Sequence, residues 1–259
     1  MSDYGDYQGG KPASLAVRAL SWLTVILQVA GILTFAFGRL RYGWNWDAIW
    51  QYRMKFVYGW LTTVAISIVA LGGSLLLGIT ITAARRSTLL PLRYLAIAYV
   101  EIIRGTPFLV QILIFFYVIA DAFGVTNRYL VGIATLSIFA GAYLAEMIRA
   151  GISSIRESQL ESARAIGLTH GQIYRYIIIP QMLKQLLPPV AGQFASIIKD
   201  SSLLSVIAIN EFTLNAQEVN AFTFSTLESY LPLALGYLAL TLPISLFSRS
   251  LERKFSYAT

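Results

Sequence analysis

The chain has 259 residues, 56% of them hydrophobic and only 13% charged, with a mean hydropathy of +0.63. A soluble globular domain carries about 25% charged residues, so the composition excludes one and indicates a protein that crosses a membrane several times. The formal charge of +7 fits lysine and arginine at cytoplasmic membrane edges better than a nucleic-acid surface, and with no cysteine and one histidine, His170, a disulfide framework, thiol chemistry and a histidine-based metal site are all disfavoured.

Residues 1–14 are polar and read as a cytoplasmic tail, with no sign of a cleavable signal peptide ahead of the first apolar run. Residues 19–38 carry no charge and are bracketed by Arg18 and Arg39; a helix needs about 20 residues to cross a bilayer, so this is a span. Between Arg39 and Lys55 lie Trp44, Trp46, Trp50 and Tyr52, residues that favour the membrane interface, and part of this segment is expected to lie flat. The second span, 56–84, has no charge and contains Gly59, Gly72, Gly73 and Gly78, which predict close helix packing. Arg85, Arg86 and Arg93 follow as a basic turn.

Residues 95–123 are apolar but hold Glu101, Arg104 and Asp121. Glu101 and Arg104, three apart, share a helix face and can pair; Gly105 and Pro107 are expected to bend or break the helix. Residues 129–155 form the next span, with Glu146 and Arg149 as an interfacial ion pair.

Residues 158–180 are the longest polar interval between apolar segments of the C-terminal half. Ser158 with Glu161, and Thr169 with Gln172, each fit a capping box; Gly167 fits a left-handed helix stop between them. Two short helices joined at Gly167–Thr169 follow, with Leu160, Ala163, Ile166, Ile173, Tyr174 and Ile177 at apolar helical spacing. Pro180 is expected to open the next helix. That span, 177–209, is expected to be broken at Pro188–Pro189. Gln193, Ser196 and Asp200 lie along one helical stripe, and a polar stripe in a bilayer should face the bundle interior or a water-filled path. Alternatively, Lys199 and Asp200 are a structural pair at the outer edge. Residues 211–229 read as a polar, acidic extracytoplasmic loop or short helix, and 230–248 as the last span, with Pro232 and Pro243. Over six spans with the hairpin inside, thirteen lysines and arginines fall on the inner side and five on the outer, Arg104 and Lys199 being embedded; both termini come out cytoplasmic.

Glu161-Ser162-Ala163, Gly167 and Ile177-Ile178-Ile179-Pro180 resemble the EAA loop, E-A-A-x3-G-x9-I-x-L-P, of the membrane subunits of ABC importers, with Ser162 for Ala and Ile179 for Leu. Arg104-Gly105-Thr106-Pro107 followed by Gln111, and Lys199-Asp200-Ser201-Ser202-Leu203, are similar to stretches of the polar amino acid branch. The resemblance implies an all-α polytopic membrane protein of the bacterial inner membrane: a five-helix type I importer core over 56–250, an extra N-terminal transmembrane helix and interfacial segment over 15–55, and a short C-terminal tail, 251–259. It implies that the hairpin 157–176 is a coupling helix docking in a groove of the ATPase, through Glu161, Ser162, Ala163, Gly167, Leu168, Thr169, Ile177 and Pro180. Its partners would be an ATPase dimer, a second permease chain, an extracytoplasmic amino acid binding protein and membrane lipid.

No G-x-x-x-x-G-K-[ST] loop occurs, so ATP and Mg would be bound by the partner ATPase, with no cofactor on this chain and no catalytic constellation. Asp200, Gln193, Ser196, Lys199, Arg104, Thr106 and Gln111 are the candidates for the substrate path, Asp200 meeting an ammonium group and Gln193 offering a neutral hydrogen bond. An ion-gradient-driven secondary transporter and a non-transporting membrane scaffold are the alternatives from other classes.

Overall fold

A computed structural model describes residues 14–39 and 42–256, as two compact units divided between Trp44 and Asn45. The polar start with Lys11, together with Leu40, Arg41 and residues 257–259, lies outside the described residues. The first unit consists of α1 (Leu15–Arg39), a helix of 25 residues, long enough at 1.5 Å per residue to span about 37 Å.

The second unit is also all helix. It begins with the short α2 (Trp46–Gln51) and continues into α3 (Arg53–Arg85). Next come α4 (Leu90–Gly105) and α5 (Phe108–Ile114), the latter running on as a π-helical turn through Ala120. The central helix is α6 (Arg128–Ser153), started by Asn127, whose side chain accepts from the Tyr129 and Leu130 amides at 3.0 and 3.3 Å. The hairpin helices α7 (Glu157–Ala165) and α8 (His170–Ile173) follow. After a π turn over Tyr174–Ile178 come α9 (Ile179–Asp200) and a 3-10 turn over Ser201–Ile207. Two further helices, α10 (Phe212–Thr223) and α11 (Thr226–Ser256), complete the unit.

The core gathers around α6. Leu136 and Ala140 of α6 meet Ile66 and Ala70 of α3, Phe108 and Ile112 of α5, Ile197 of α9, and Leu204, Ile207 and Ile209 beyond it. Small residues let α3 and α6 approach. A Cβ on Gly73 would sit 2.6 Å from Ser137 Oγ, one on Gly78 2.9 Å from Leu144 Cβ, and one on Gly141 2.9 Å from Leu77 Cβ. Gly59 is equally close to α10, whereas Gly72 faces open space, so three of the four α3 glycines serve packing as the sequence implies.

Among the described residues, four helices are long and apolar enough to cross a membrane, and the count reaches six if each of two bent pairs crosses once. One bent pair is α4 with α5, at 112°, so residues 95–123 are no straight span. Thr106 is extended ahead of Pro107, as the residue before a proline prefers. The Gln111 side chain then donates to the carbonyls of Ile103 and Thr106 at 2.7 and 3.1 Å, and to Thr106 Oγ1 at 2.8 Å, replacing partners lost at the break. The other pair bends by 50° between Ile207 and Phe212, where Ala208 adopts a left-handed φ of 57°.

One expectation fails here. The helix runs unbroken through Pro188–Pro189: the two carbonyls that lose amide partners belong to Lys184 and Gln185, both exposed, and Ser248 of α11 pins the turn by donating to the Pro188 carbonyl at 2.8 Å. Pro180 stands in the first turn of α9, as expected, although a π turn joins that helix to α8. Of the loop and the short helix left open for residues 211–229, the structure has the helix, and it is packed rather than solvated. These residues hold α10, packed by Phe212, Ala216 and Val219 onto Phe56, with Ile49 of α2 and Tyr52 alongside. The carboxylates there are used internally: Glu218 pairs with Lys55 at 2.5 Å, and Glu228 accepts from the Asn45 amide.

Candidate functional site

The hairpin is built by two local devices. At its first helix, Arg156 is the extended residue before the start; Ile155 and Leu160, the staple positions on either side, lie in one apolar cluster with Ala163, Ile173 and Ile178. Ser158 therefore sits inside the first turn and makes no capping box with Glu161, contrary to the sequence reading. At its end, the Gly167 amide bonds the Arg164 carbonyl at 2.9 Å and the Leu168 amide bonds the Ala163 carbonyl at 3.1 Å. This is a Schellman closure, which needs a left-handed residue, and Gly167 supplies it with φ 84°. The second helix opens with the expected capping box: Thr169 Oγ1 accepts from the Gln172 amide at 3.4 Å, and Gln172 Oε1 accepts from the Thr169 amide at 2.8 Å.

Ala163 and Ile173 are thus buried beneath the hairpin with Leu168 and Ile177 half-buried around them, while Glu161, Ser162, Gly167, Thr169 and Pro180 face outward. Ile166, placed by spacing on the apolar face, is instead 78% exposed at the tip, and Tyr174 is exposed as well. Hydrogen bonds from Gln181 to Gln159, at 3.0 Å, and from Ser154 to Gln185 tie the hairpin to α9. A bent, capped and exposed element on a buried base can transmit displacement between a partner and the helices beneath it.

The polar candidates of the bundle fall into two groups. On α9, Gln193 is buried, Ser196 and Asp200 are half-buried and Lys199 is exposed. No ion pair joins Lys199 to Asp200 among the described residues. On α4 and α5, Arg104 and Thr106 are exposed and Gln111 is buried. Arg104 does not pair with Glu101; its guanidinium lies over the Tyr143 ring, 5.2 Å from the centroid. Apolar neighbours of both groups meet in the core, Phe108 and Ile112 against Ile197 and Leu204. No hydrogen bond joins the two sets of polar side chains. Gln111 serves the bend, with its Oε1 buried and unpartnered.

One functional-grade cluster escaped the sequence reading. Glu211 is fully buried and accepts from the Thr213 and Leu214 amides, both at 2.8 Å, and from the Tyr237 hydroxyl at 2.9 Å. Thr63 of α3 completes it, accepting from the Phe212 amide at 3.1 Å. The signal was present in Phe212, Asn215, Ala216 and Val219, whose spacing is helical. At the other end of α6, Glu146 is bonded by both Arg149, at 2.7 Å, and Arg85, at 3.1 Å. The expected interfacial pair is therefore a triad.

Residues 74–257 match the family model described as "Binding-protein-dependent transport system inner membrane component". The chain belongs to this family. The permease is 36% identical over 199 residues to the probable glutamine ABC transporter permease protein GlnM of Bacillus subtilis, covering 77% of this chain and 92% of that one. It is 34% identical over 212 residues to the glutamine transport system permease protein GlnP of Escherichia coli, covering 81% and 97%. Among solved structures it is similar to an amino acid ABC transporter crystallised with histidines, with a TM-score of 0.77 and 33% identity over 82% of this chain and all of that one. A methionine ABC transporter, MetNI, at 18% identity and a TM-score of 0.66, shares the fold.

The protein is therefore the permease subunit of an amino acid ABC importer, a multi-pass inner-membrane component that is itself non-catalytic. Membership implies a separate ATPase and a binding protein as partners. It also sets aside the ion-gradient transporter and the scaffold.

Proposed function

We propose that the permease forms the translocation path for a polar, uncharged amino acid of the glutamine kind, delivered by an extracytoplasmic binding protein and driven by ATPase closure against the hairpin. The observation that carries this reading is the hairpin itself. A Schellman closure at Gly167 and a capping box at Thr169 hold Glu161, Ser162 and the Ile166 tip outward on a buried apolar base. Two permease chains, identical or paralogous, pair with two ATPases, because a clamp of two ATPases needs two hairpins. The hairpin lies in the cytoplasm, and so do both termini, in keeping with thirteen basic residues inside against five outside.

ATP-driven closure displaces the hairpin, tilts α9 through the tie between Gln159 and Gln181, and opens the stripe of Gln193, Ser196 and Asp200 outward; hydrolysis reverses it. Asp200 meets the substrate ammonium group, and Gln193 hydrogen-bonds its side chain. A neutral amide there, and the names of the glutamine relatives, support an uncharged substrate over a cationic one. Arg104, Thr106 and Lys199 line the approach.

The test is co-purification in mild detergent with the ATPase, followed by uptake in proteoliposomes. An ATPase retained by the native chain and lost with Gly167→Trp supports the coupling role, and ATP-dependent uptake lost with Asp200→Asn while the ATPase stays bound supports the path. Retention of the ATPase by Gly167→Trp in a properly inserted chain sinks the coupling assignment.

A further inference from the structure

On the hairpin side of the bundle, the end of α3, the first turns of α4 and the end of α6 enclose a cavity of about 210 Å³. Its place is fixed by the chain, since Ser153 on its wall ends α6 just before α7 begins. Four guanidinium groups line it, those of Arg85, Arg86, Arg93 and Arg149. One carboxylate opposes them: Glu146, already engaged by Arg85 and Arg149. Arg86 and Arg93 make no ion pair among the described residues; Arg86 lies 5.9 Å over the Tyr174 ring.

Like charges gathered around one concavity repel unless an anion joins them. Glu146 fixes two of the four side chains in advance, which lowers the entropy lost on capturing a ligand. Guanidinium forks match phosphate oxygens in geometry and are weakly hydrated. The rest of the wall is Ile97 and Ile152 with the hydroxyl residues Ser153 and Thr82, the latter engaged with the Gly78 and Ala145 carbonyls, and Leu92 and Leu95 of α4, with Leu89 just ahead of it, are exposed. A free phosphate has no use for that apolar surround, whereas a lipid has acyl chains to lay on it. Basic pockets between transmembrane helices on the cytoplasmic side are a recurrent form of headgroup site.

We propose that this cavity binds a phosphate-bearing anion, the glycerophosphate headgroup of an anionic phospholipid. The bound phosphate would bridge α3, α4 and α6 beside the returning helix of the hairpin, through Arg86.

The test is native mass spectrometry of the full chain in mild detergent, titrated in parallel with phosphatidylglycerol, phosphatidylethanolamine and inorganic phosphate. Phosphatidylglycerol is expected to be retained over phosphatidylethanolamine. Arg86→Gln and Arg93→Gln should each weaken its retention by about fivefold. Lys184→Gln, an exposed cation outside the cavity, should leave it unchanged. Both tested arginines are exposed and make no ion pair, so their loss spares the fold, and an unchanged elution profile confirms that. Equal retention of the two lipids, or full retention by the double variant of Arg86 and Arg93, overturns the site. Displacement of the lipid by inorganic phosphate at matched concentration overturns the lipid as source and leaves soluble phosphate in its place.

Discussion

Replacing Glu211 with alanine is the sharpest test of how α10 is held against α3 and α11. The side chain is fully buried and is the acceptor for two α10 amides and the Tyr237 hydroxyl. Losing a helix cap to alanine costs about 1 to 2 kcal/mol. Tyr237 retains Thr213 Oγ1 at 2.9 Å, so its loss adds about 1 kcal/mol. The sum, about 2 to 3 kcal/mol, corresponds to a change of about 30- to 150-fold in the opening equilibrium of α10. Glu211→Gln keeps one acceptor oxygen and places an amide donor against donors at the other, for a change of about tenfold. The reporter is hydrogen exchange over residues 208–223, where the Asn215 amide bonds the Glu211 carbonyl at 3.1 Å. Exchange there should accelerate in the order native, glutamine, alanine. If alanine leaves α10 protection within about threefold of native, or if the two variants are equal, the carboxyl is not the cap and tie described here.

Gly167→Ala should destabilise the hairpin by about 1 to 2 kcal/mol, purely through its left-handed backbone, because nothing lies within 4 Å of the added carbon. Gly171→Ala, equally uncrowded but helical, should stabilise it; exchange at the Leu168 amide reads both, and parallel behaviour would refute the closure. Gly59→Ala would place a carbon 2.9 Å from Phe212 Cα and 3.1 Å from the Glu211 carbonyl oxygen, an overpacking of about 1 to 3 kcal/mol; Gly72→Ala, in open space, should be neutral in the same thermal-midpoint assay. Gln111→Glu keeps the shape but not the donors at the α4–α5 bend, so its unfolding midpoint should fall as far as that of Gln111→Leu, and a native-like Gln111→Glu would show that the clamp carries no stability.

The parts of this fold that were legible in sequence are those decided within a few residues. Thr169 and Gln172 form the box their spacing implies, Gly167 takes the left-handed turn, and Gly105 with Pro107 breaks the helix. Local signals failed where a stronger neighbour overrode them. The staple at Ile155 and Leu160 starts α7 too early for Ser158 to cap it. The prolines at 188 and 189 end nothing, because α11 supports the turn through Ser248. Over residues 211–229 composition left a loop and a short helix open, and it could not show that the polar side chains serve as caps and ties between helices distant in sequence. The candidate substrate path was readable as a stripe on α9, but not in relation to Gln111, since the bend that claims Gln111 is a tertiary event.

The interlocked seam between α3 and α6 limits how the protein can work as a machine. With Gly73 against Ser137, Gly78 against Leu144 and Gly141 against Leu77, a slide of one residue along the seam would drive side chains into backbone. These two helices must therefore travel as a single strut. The compliance for any stroke is left to the two places where the rods are jointed, Gly105–Pro107 and Ala208. Since the chain contains no native cysteine, the idea invites engineered cross-links: a bridge along the strut should leave turnover running, and a bridge spanning either joint should stall it.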